Sequence, residues 1–354
     1  MLYKPDWDKV REHYIQYWAC ENHESPLLCL TAPKDKRVPR PTKEHATLRE
    51  RWFDTEYVLE RTNAGLQNTY FGGDSFPSCC PNLGPDLFAA LYGIPMEYGE
   101  DTSWSIHTLE DWSRYTPFRI EEQNEYYKKI VEMTKAAAED GRDKYLVGVT
   151  DIHAGPDCLV AMRGPEALCF DAVERPDFIA RGVMDLFAGF KTFYTELADI
   201  TCRYQEGTTN WMGIWHPGRW YVTSCDFICM ISEDMFEELV LEELEAEINF
   251  LDASIFHLDG PGALRHLDRL LEIKKLKGIQ WVYGAGQPSA SHWLPVLKKI
   301  QAAGKCFQVQ ASPDDMPILL ENLAPEGAMY MVGTRTESEA RDLEALAKKC
   351  RGRT

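Results

Sequence analysis

Two pairs of histidine and aspartate are the clearest candidates for chemistry in this sequence. Asp151 and His153 follow one apolar run, and His257 and Asp259 end another. Side chains at positions i and i+2 of a strand point to the same side, so each pair can direct an imidazole and a carboxylate into one cavity. That combination suits general acid–base catalysis or part of a metal shell. We predict that all four are catalytic and that His257 and Asp259 are candidate metal ligands. The alternative for each pair is a histidine that only hydrogen-bonds neighbouring backbone.

A second group of residues is predicted to contact a substrate. His216 ends an apolar run and precedes Pro217-Gly218, a turn signal, and the tryptophans around it can wall a pocket. The alternative is that the tryptophans pack in the core and that His216 lies at the edge of that core. The whole predicted set consists of Asp74, Phe76, Trp104, Trp215, His216, Tyr221, Asp226, Gln287 and Gln310.

Several well-known catalytic motifs are missing from the sequence. Gly284-Ala-Gly286 follows a predicted strand, but the third glycine of a dinucleotide-binding turn is not in place, so we interpret it as a strand-to-helix turn. The sequence has no P-loop, no G-x-S-x-G elbow and no H-E-x-x-H helix. Nucleotide-phosphate and serine-hydrolase chemistry therefore have no motif to support them.

The elements that must position these residues are short apolar runs of strand length. Most of them are followed by a helical pattern, and strands that alternate with helices predict a parallel sheet. The sequence also predicts helices over 43–66 and 232–250, and a last helix that opens with a capping box at Thr336 and Glu339. Eight such units would close a (β/α)8 TIM barrel, whose active site lies at the carboxyl ends of its strands. We predict one domain over residues 1–354, with residues 1–66 as an N-terminal helical extension packed on the barrel. The eight runs are 27–32, 68–72, 145–150, 211–216, 254–259, 279–284, 305–310 and 328–333.

Composition narrows the classes of partner. The formal net charge of −18 argues against nucleic acid, because neutralising phosphates requires a basic face. No apolar run approaches the ~18 residues of a membrane span, so no membrane is expected as a partner. The 11 cysteines mostly stand singly in apolar segments, which is typical of small core residues in a reducing compartment. We expect a cytoplasmic protein.

Several segments together resemble the uroporphyrinogen decarboxylase-like superfamily. They are FGGDSFP, NLGPDLFAALYG, TSWS, DIHAGPD with MRGPEAL, DFICMISEDMFEELVLEELE and FHLDGPGALRHLD. The resemblance covers about residues 65–340 and implies a (β/α)8 barrel. It implies one of two activities, which are cofactor-independent decarboxylation of a porphyrinogen and corrinoid-linked methyl transfer. The stretch SPLLCLTAPKDKRVPRP lacks the arginine pattern with which the decarboxylases bind their many-carboxylate substrate.

The resemblance therefore favours a methyltransferase of a corrinoid-dependent one-carbon or demethylation system. Its partners would be a corrinoid protein, which carries the corrinoid, and a small-molecule methyl donor or acceptor. Zinc-dependent members have a His-x-Cys ligand pair at the position of His257, and here Asp259 stands where the cysteine would be. An altered zinc site and a metal-free acid–base site both remain open. The alternatives are a cofactor-independent decarboxylase or lyase of a small carboxylic acid, with Asp74 and Asp151 as first acid–base candidates, and a non-catalytic binding barrel.

Overall fold

Short buried strands alternate with helices along most of the chain. The computed structural model describes residues 1–112, 116–121 and 123–350. The strands are β1 (Leu27–Pro33), β2 (Thr69–Gly73), β3 (Ser78–Cys79), β4 (Met96–Tyr98), β5 (Ser103–Ser105), β6 (Leu146–Val147), β7 (Trp220–Ser224), β8 (Ala253–Asp259), β9 (Gly278–Val282), β10 (Cys306–Gln310) and β11 (Ala328–Gly333).

The helices occupy the connections between these strands. Short 3-10 helices at Asp226–Met230, Pro261–His266 and Ala290–Trp293 follow β7, β8 and β9. The α-helices are α1 (Trp7–Ala19), α2 (Leu48–Phe53), α3 (Thr55–Gln67), α4 (Leu87–Ala90), α5 (Glu125–Gly141), α6 (Gly155–Arg163), α7 (Pro165–Glu174), α8 (Pro176–Thr201), α9 (Glu233–Leu239), α10 (Leu241–Phe250), α11 (Leu267–Glu272), α12 (Leu294–Ala302), α13 (Met316–Asn322) and α14 (Glu337–Cys350). Among the described residues, none of the helices has the length and apolar character that crossing a membrane requires.

Most strands belong to one sheet. Its order is β2-β1-β11-β10-β9-β8-β7, and all neighbours are parallel except β2, which pairs antiparallel with β1. Strands β3 and β6 form a separate parallel pair, and β4 and β5 form an antiparallel pair. The fold is therefore mixed α/β with a central seven-stranded, mostly parallel sheet. Because β1 lies inside that sheet, the predicted extension 1–66 contributes a central strand as well as helices.

Pairing register aligns polar side chains from neighbouring strands. Ser224 pairs with His257, His257 with Gln280, Gln280 with Gln308, and Gln308 with Met329. Residues paired across parallel strands point to the same face of a sheet. One face of β7–β11 therefore carries a row in which a histidine and two glutamines are adjacent.

Helix α1 covers the amino ends of the strands. It buries Val10, Tyr14, Tyr17 and Trp18, whose spacing places them on one helical face. The hydroxyl of Tyr17 donates to the carbonyl of Phe307 near the start of β10 (3.2 Å). An N-terminal segment thus packs on strands that come about 300 residues later in the chain.

The predicted strands agree with the structure in most places and fail in two. The runs at 27–32, 254–259, 279–284, 305–310 and 328–333 are strands to within two residues, and 145–150 contains the shorter β6. The run 68–72 became β2, an antiparallel edge strand rather than a parallel one. The run 211–216 is not a strand, because Gly213 has φ 65° and turns the chain there. The strand forms instead at β7, which the sequence reading missed.

Two predicted long helices are broken. The pattern 43–66 divides at Asp54, whose carboxylate accepts the backbone N–H of Tyr57 (3.1 Å) and so begins α3. The pattern 232–250 divides at Val240 into α9 and α10. The predicted capping box of the last helix is present, because Thr336 Oγ1 accepts the backbone N–H of Glu339 (3.2 Å).

Candidate functional site

The central feature of the site is a rim cluster formed by Asp226, His257 and Asp259. Their ligand atoms all lie within 4.8 Å of one another. His257 and Asp259 end β8, and Asp226 begins the 3-10 helix directly after β7. Since carboxyl ends of parallel neighbours meet at one edge of a sheet, two side chains from β8 and one from the 3-10 helix after β7 converge there. The i, i+2 pairing predicted for His257 and Asp259 is thus joined by a second carboxylate.

His257 is held in a defined orientation by its neighbours. Its Nδ1 is hydrogen-bonded to Gln280 Oε1. An amide oxygen only accepts, so Nδ1 carries the proton and Nε2 is the nitrogen available for chemistry or for a metal. The ring of Trp211 lies edge-on to the imidazole, with centroids 5.6 Å apart and an angle of 79° between the planes.

The second predicted pair is also formed. His153 Nε2 and Asp151 Oδ1 are 3.3 Å apart. Burial alone would lower the pKa of His153, but the carboxylates of Asp151, Asp157 and Asp226 raise it to about 9. His153 is therefore an imidazolium at neutral pH. The charge of Asp226 connects this pair electrostatically with the rim cluster.

Two residues outside the rim cluster fix the backbone around the site. Tyr221 is buried, and its hydroxyl donates to the Thr150 carbonyl (2.7 Å) and accepts from the Ile152 N–H (2.6 Å), which fixes the segment that bears His153. The Asp157 carboxylate accepts the backbone N–H groups of Asp226 (2.9 Å) and Phe227 (3.0 Å). Tyr221, predicted to contact substrate, is instead a support for the chain around the second pair.

The electrostatics around the rim cluster are acidic. Burial raises the pKa of Asp259, and the charge of Asp226 adds to that rise while His257 opposes it. Burial and then the charge of Asp226 raise the pKa of Asp157 to about 6. Among the described residues, no lysine or arginine forms an ion pair with Asp226 or Asp259. Within the described part of the chain, the two carboxylates therefore face each other with His257 but without a paired lysine or arginine.

A cavity of about 460 Å³ adjoins the rim cluster. Gln280 and Trp211 contact His257 and also line the cavity, so the histidine lies behind these two lining residues. The volume lies within the range of roughly 300–1,000 Å³ that is usual for small-molecule sites. The residues that line it are Cys29, Thr31, Ser75, Trp211, Met212, Gln280, Trp281, Val282, Tyr283, Gly284, Ala285, Gln308, Gln310, Met331, Val332 and Gly333.

Four predicted substrate contacts lie at the amino end of the sheet instead. His216 packs on Trp18 of α1, with ring centroids 5.2 Å apart, and its Nδ1 accepts the Gly218 N–H (2.9 Å). Burial lowers the pKa of this histidine. Trp215 is buried and donates to the Glu206 carbonyl (2.7 Å). Because residues 211–216 form no strand, nothing carries these side chains to the carboxyl edge.

Asp74 and Phe76 are the other two predicted substrate contacts that lie at the amino end of the sheet. The Asp74 carboxylate accepts the Leu28 N–H (2.8 Å) and contacts His13 Nδ1 (2.8 Å). Phe76 is buried against Trp7, with centroids 5.1 Å apart. Both residues fasten the loop after β2 to α1 and β1.

The remaining predicted contacts divide between the cavity and the surface. Gln310, at the end of β10, lines the cavity. Gln287 lies in the exposed loop after β9. Trp104 on β5 is 46% exposed and donates to Glu97 Oε2 (3.0 Å), away from the cavity lining.

Sequence reasoning missed four residues that shape the site: Asp157, Trp211, Gln280 and Gln308. The two glutamines had a usable signal, because each is a polar residue in the middle of an apolar strand. Counting register from His257 would have placed both in its row. Asp157 and Trp211 lie in a helix and a turn, where only tertiary packing brings them to the site.

The donor set of the rim cluster fits a divalent cation in part. One imidazole and two carboxylates favour a metal that accepts nitrogen and oxygen ligands. They do not reproduce a thiolate-rich zinc site: the nearby thiol of Cys229 donates to the Asp259 carbonyl oxygen (3.4 Å) and is not one of the three donors.

Comparison with known proteins gives no relative from which to assign a role. No family model matches this chain, and no curated protein is significantly similar to it.

Proposed function

We propose that this chain folds as a closed (β/α)8 barrel with its site at the carboxyl ends of the strands. Strands β1 and β7–β11 are six parallel strands, and β3 and β6 bring the number to eight. The hydroxyl of Tyr221 on β7 bonds the backbone just after β6, and Val149 bridges Asn210 in parallel. These contacts support a join between the β3–β6 pair and the open side of β7.

We propose further that the protein is a methyltransferase that moves a methyl group between a small substrate and a corrinoid bound to a partner protein. The observation that carries this proposal is the rim cluster of Asp226, His257 and Asp259, whose histidine contacts Gln280 and Trp211 in the lining of a small cavity. The sequence resemblance supplies the reaction class. The cavity adds an argument against porphyrinogen decarboxylation, because a substrate with many carboxylates needs basic side chains, and none of the described lining residues is basic.

The residues of this chain would act on the atom that loses the methyl group. A corrinoid supplies, when bound, a cobalt centre that accepts or gives a methyl group. A departing oxygen or nitrogen must bear a proton, or already carry positive charge, when its bond to the methyl carbon breaks. His257 faces it with Nε2, because Gln280 occupies Nδ1. Asp226 and Asp259 lie beside this imidazole, so the cluster can supply or hold that proton.

A divalent metal such as zinc would be held by the same three side chains. It would supply Lewis-acid polarisation of the substrate heteroatom. The alternative without a metal uses His257 with Asp259 as the acid–base pair. Both the metal form and the metal-free form require His257. Metal analysis of the purified protein distinguishes them.

The test is a spectroscopic assay of the purified chain with reduced cobalamin and a panel of methyl ethers, methylamines and methyl thioethers. We expect at least one class of substrate to methylate the corrinoid, which changes its visible spectrum. His257→Ala should abolish this change and retain the wild-type far-UV circular dichroism. His216→Asn is the matched control, because His216 lies at the opposite end of the sheet. No methylation with any class, or equal rates in His257→Ala, would overturn the proposal.

A decarboxylase or lyase of a small acid remains the second candidate. The His153–Asp151 pair favours it, since an imidazolium can bind a carboxylate. Release of carbon dioxide from a panel of small carboxylic acids, lost in His153→Gln and kept in His257→Ala, would establish this reading instead.

A further inference from the structure

Two cysteines that are far apart in the sequence meet at the amino end of the sheet. Cys20 directly follows α1, and Cys306 begins β10. They are 286 residues apart along the chain, yet their Sγ atoms are 3.6 Å apart. Both are free thiols. The two sulfurs are therefore in contact before any bond joins them.

The backbone around both cysteines is anchored. Asn22, two residues after Cys20, accepts the N–H of Gly327 (2.8 Å). The carbonyl of Gly327 accepts the N–H of Phe307, the residue after Cys306 (2.7 Å). A Cβ atom at Gly327 would lie 2.8 Å from Cys20 Sγ and 3.1 Å from Cys306 Cα, so glycine leaves the space that the pair occupies. The contact between the sulfurs is therefore held by the surrounding backbone.

The surroundings give the two thiols different reactivity. Cys20 is partly exposed, whereas Cys306 is 1% exposed. The Cys306 thiol has two acceptors within reach, Cys20 Sγ and the carbonyl oxygen of Tyr17 (3.1 Å). Its hydrogen bond lowers the pKa of Cys20 to about 7, and the charge of Lys277 adds to that lowering while burial opposes it. The same hydrogen bond raises the pKa of Cys306. Since the thiolate is the form that attacks an oxidant, Cys20 is the nucleophile of the pair.

We propose that Cys20 and Cys306 form a peroxide-reactive dithiol that closes to a disulfide and fastens α1 to β10. The Cys20 thiolate attacks one oxygen of hydrogen peroxide, the O–O bond breaks, and the departing hydroxide takes up the proton that Cys20 released. The Cys306 sulfur then attacks the sulfenic acid of Cys20, the S–O bond breaks, and the second hydroxide takes the proton of Cys306. Two thiols thus lose two electrons, and one peroxide is reduced to two waters. A dithiol reductant reverses the oxidation.

This dithiol lies at the end of the sheet remote from the rim cluster. Cys306 begins β10, whereas the rim cluster lies where β7 and β8 end. The proposal is therefore independent of the proposed methyl transfer. A crosslink between residues 286 apart restricts the unfolded chain strongly. The oxidised protein should consequently melt several degrees above the reduced protein.

The test treats the full chain with equimolar hydrogen peroxide, blocks the remaining thiols with iodoacetamide and analyses tryptic peptides by tandem mass spectrometry. We expect two of the 11 thiols to be lost and Cys20 to be joined to Cys306. The melting temperature should rise, and dithiothreitol should reverse both changes. Retention of all 11 thiols, a disulfide between other cysteines, or a lower melting temperature after oxidation would overturn the proposal.

Three variants separate the roles of the two sulfurs. Cys306→Ser should stop at the sulfenic acid of Cys20, which dimedone labels. In Cys20→Ser, Cys306 should stay reduced under the same treatment, because it is buried and its pKa is raised. Cys202→Ser is the matched control, since Cys202 is exposed and should leave the disulfide unaffected. Dimedone labelling of Cys306 in Cys20→Ser as fast as that of Cys20 in Cys306→Ser would overturn the assignment of the nucleophile.

Discussion

A buried acidic group behind the rim cluster should make stability depend strongly on pH. Glu243 and Glu247 are one turn apart on α10 and are 3% and 4% exposed. Glu243 Oε1 has no hydrogen-bond partner among the described residues. Burial, and then the charge of Asp157, raise the pKa of Glu243 to about 8. Burial raises the pKa of Glu247 further, with Glu243 adding to it.

The sign of the effect follows from proton binding. An unfolded chain releases the Glu243 proton near its ordinary pKa of 4.5, whereas the folded chain keeps it until about 8. The folded state therefore binds more protons in this window, and the free energy of unfolding falls as the pH rises. A displacement of this size corresponds to about 5 kcal/mol between the two protonation states. We expect about 3–5 kcal/mol to be lost between about pH 4.5 and pH 8.

Urea unfolding followed by tryptophan fluorescence measures this loss. Glu243→Gln cannot ionise, so it should be more stable than the wild type near pH 8, by about 2–4 kcal/mol, and should show a shallower decline with pH. Glu242→Gln is the matched control on the exposed side of the same helix and should decline as the wild type does. The reasoning is refuted if Glu243→Gln declines as steeply as the wild type or is less stable at high pH.

Three further predictions concern the site itself. Gln280→Leu removes the hydrogen bond to His257 Nδ1, so turnover should fall about 10- to 100-fold while the fold persists. NMR shifts of the ring ¹⁵N atoms report the tautomer of His257. Shifts that still show the Nδ1–H tautomer in the variant would contradict this prediction. Asp151→Asn removes the first of the carboxylates that raise the pKa of His153, so its NMR titration midpoint should fall from about 9 toward its ordinary value. The stability that this ion pair gives the wild type is present below about pH 6.5 and is lost as the pH rises through about 9, and an unmoved midpoint would assign the rise to other groups. Zinc should raise the melting temperature of the wild type but not of Asp259→Ala; equal increases would place the ion elsewhere.

The sequence predicted the C-terminal strands well because buried parallel strands have a distinctive form. Runs such as 279–284 and 328–333 are short, apolar and bounded by turn residues, and both are strands. The run 211–216 is equally apolar for a different reason, since its Trp215 packs on α1. The positive φ of Gly213 turns the chain, so this run does not form a strand. Composition does not reveal that backbone angle.

Site residues were predictable where they lie at the carboxyl end of a strand. His257 and Asp259 met that condition, and the structure brings them together with Asp226. His216 was assigned to the same edge only through the strand that does not form, so it fell at the other end. Asp157 was out of reach, because its role depends on which backbone N–H groups α6 approaches.

The dependence of α1 on late strands has a consequence for synthesis. Tyr17 bonds Phe307, and Asn22 bonds the carbonyl of Pro325 (2.7 Å) and accepts the N–H of Gly327 (2.8 Å). After it leaves the ribosome, α1 must therefore wait, with its aromatic face uncovered, until about three hundred more residues have followed. At roughly 5–20 residues per second this interval lasts tens of seconds. During it the nascent chain presents a natural binding site for a chaperone.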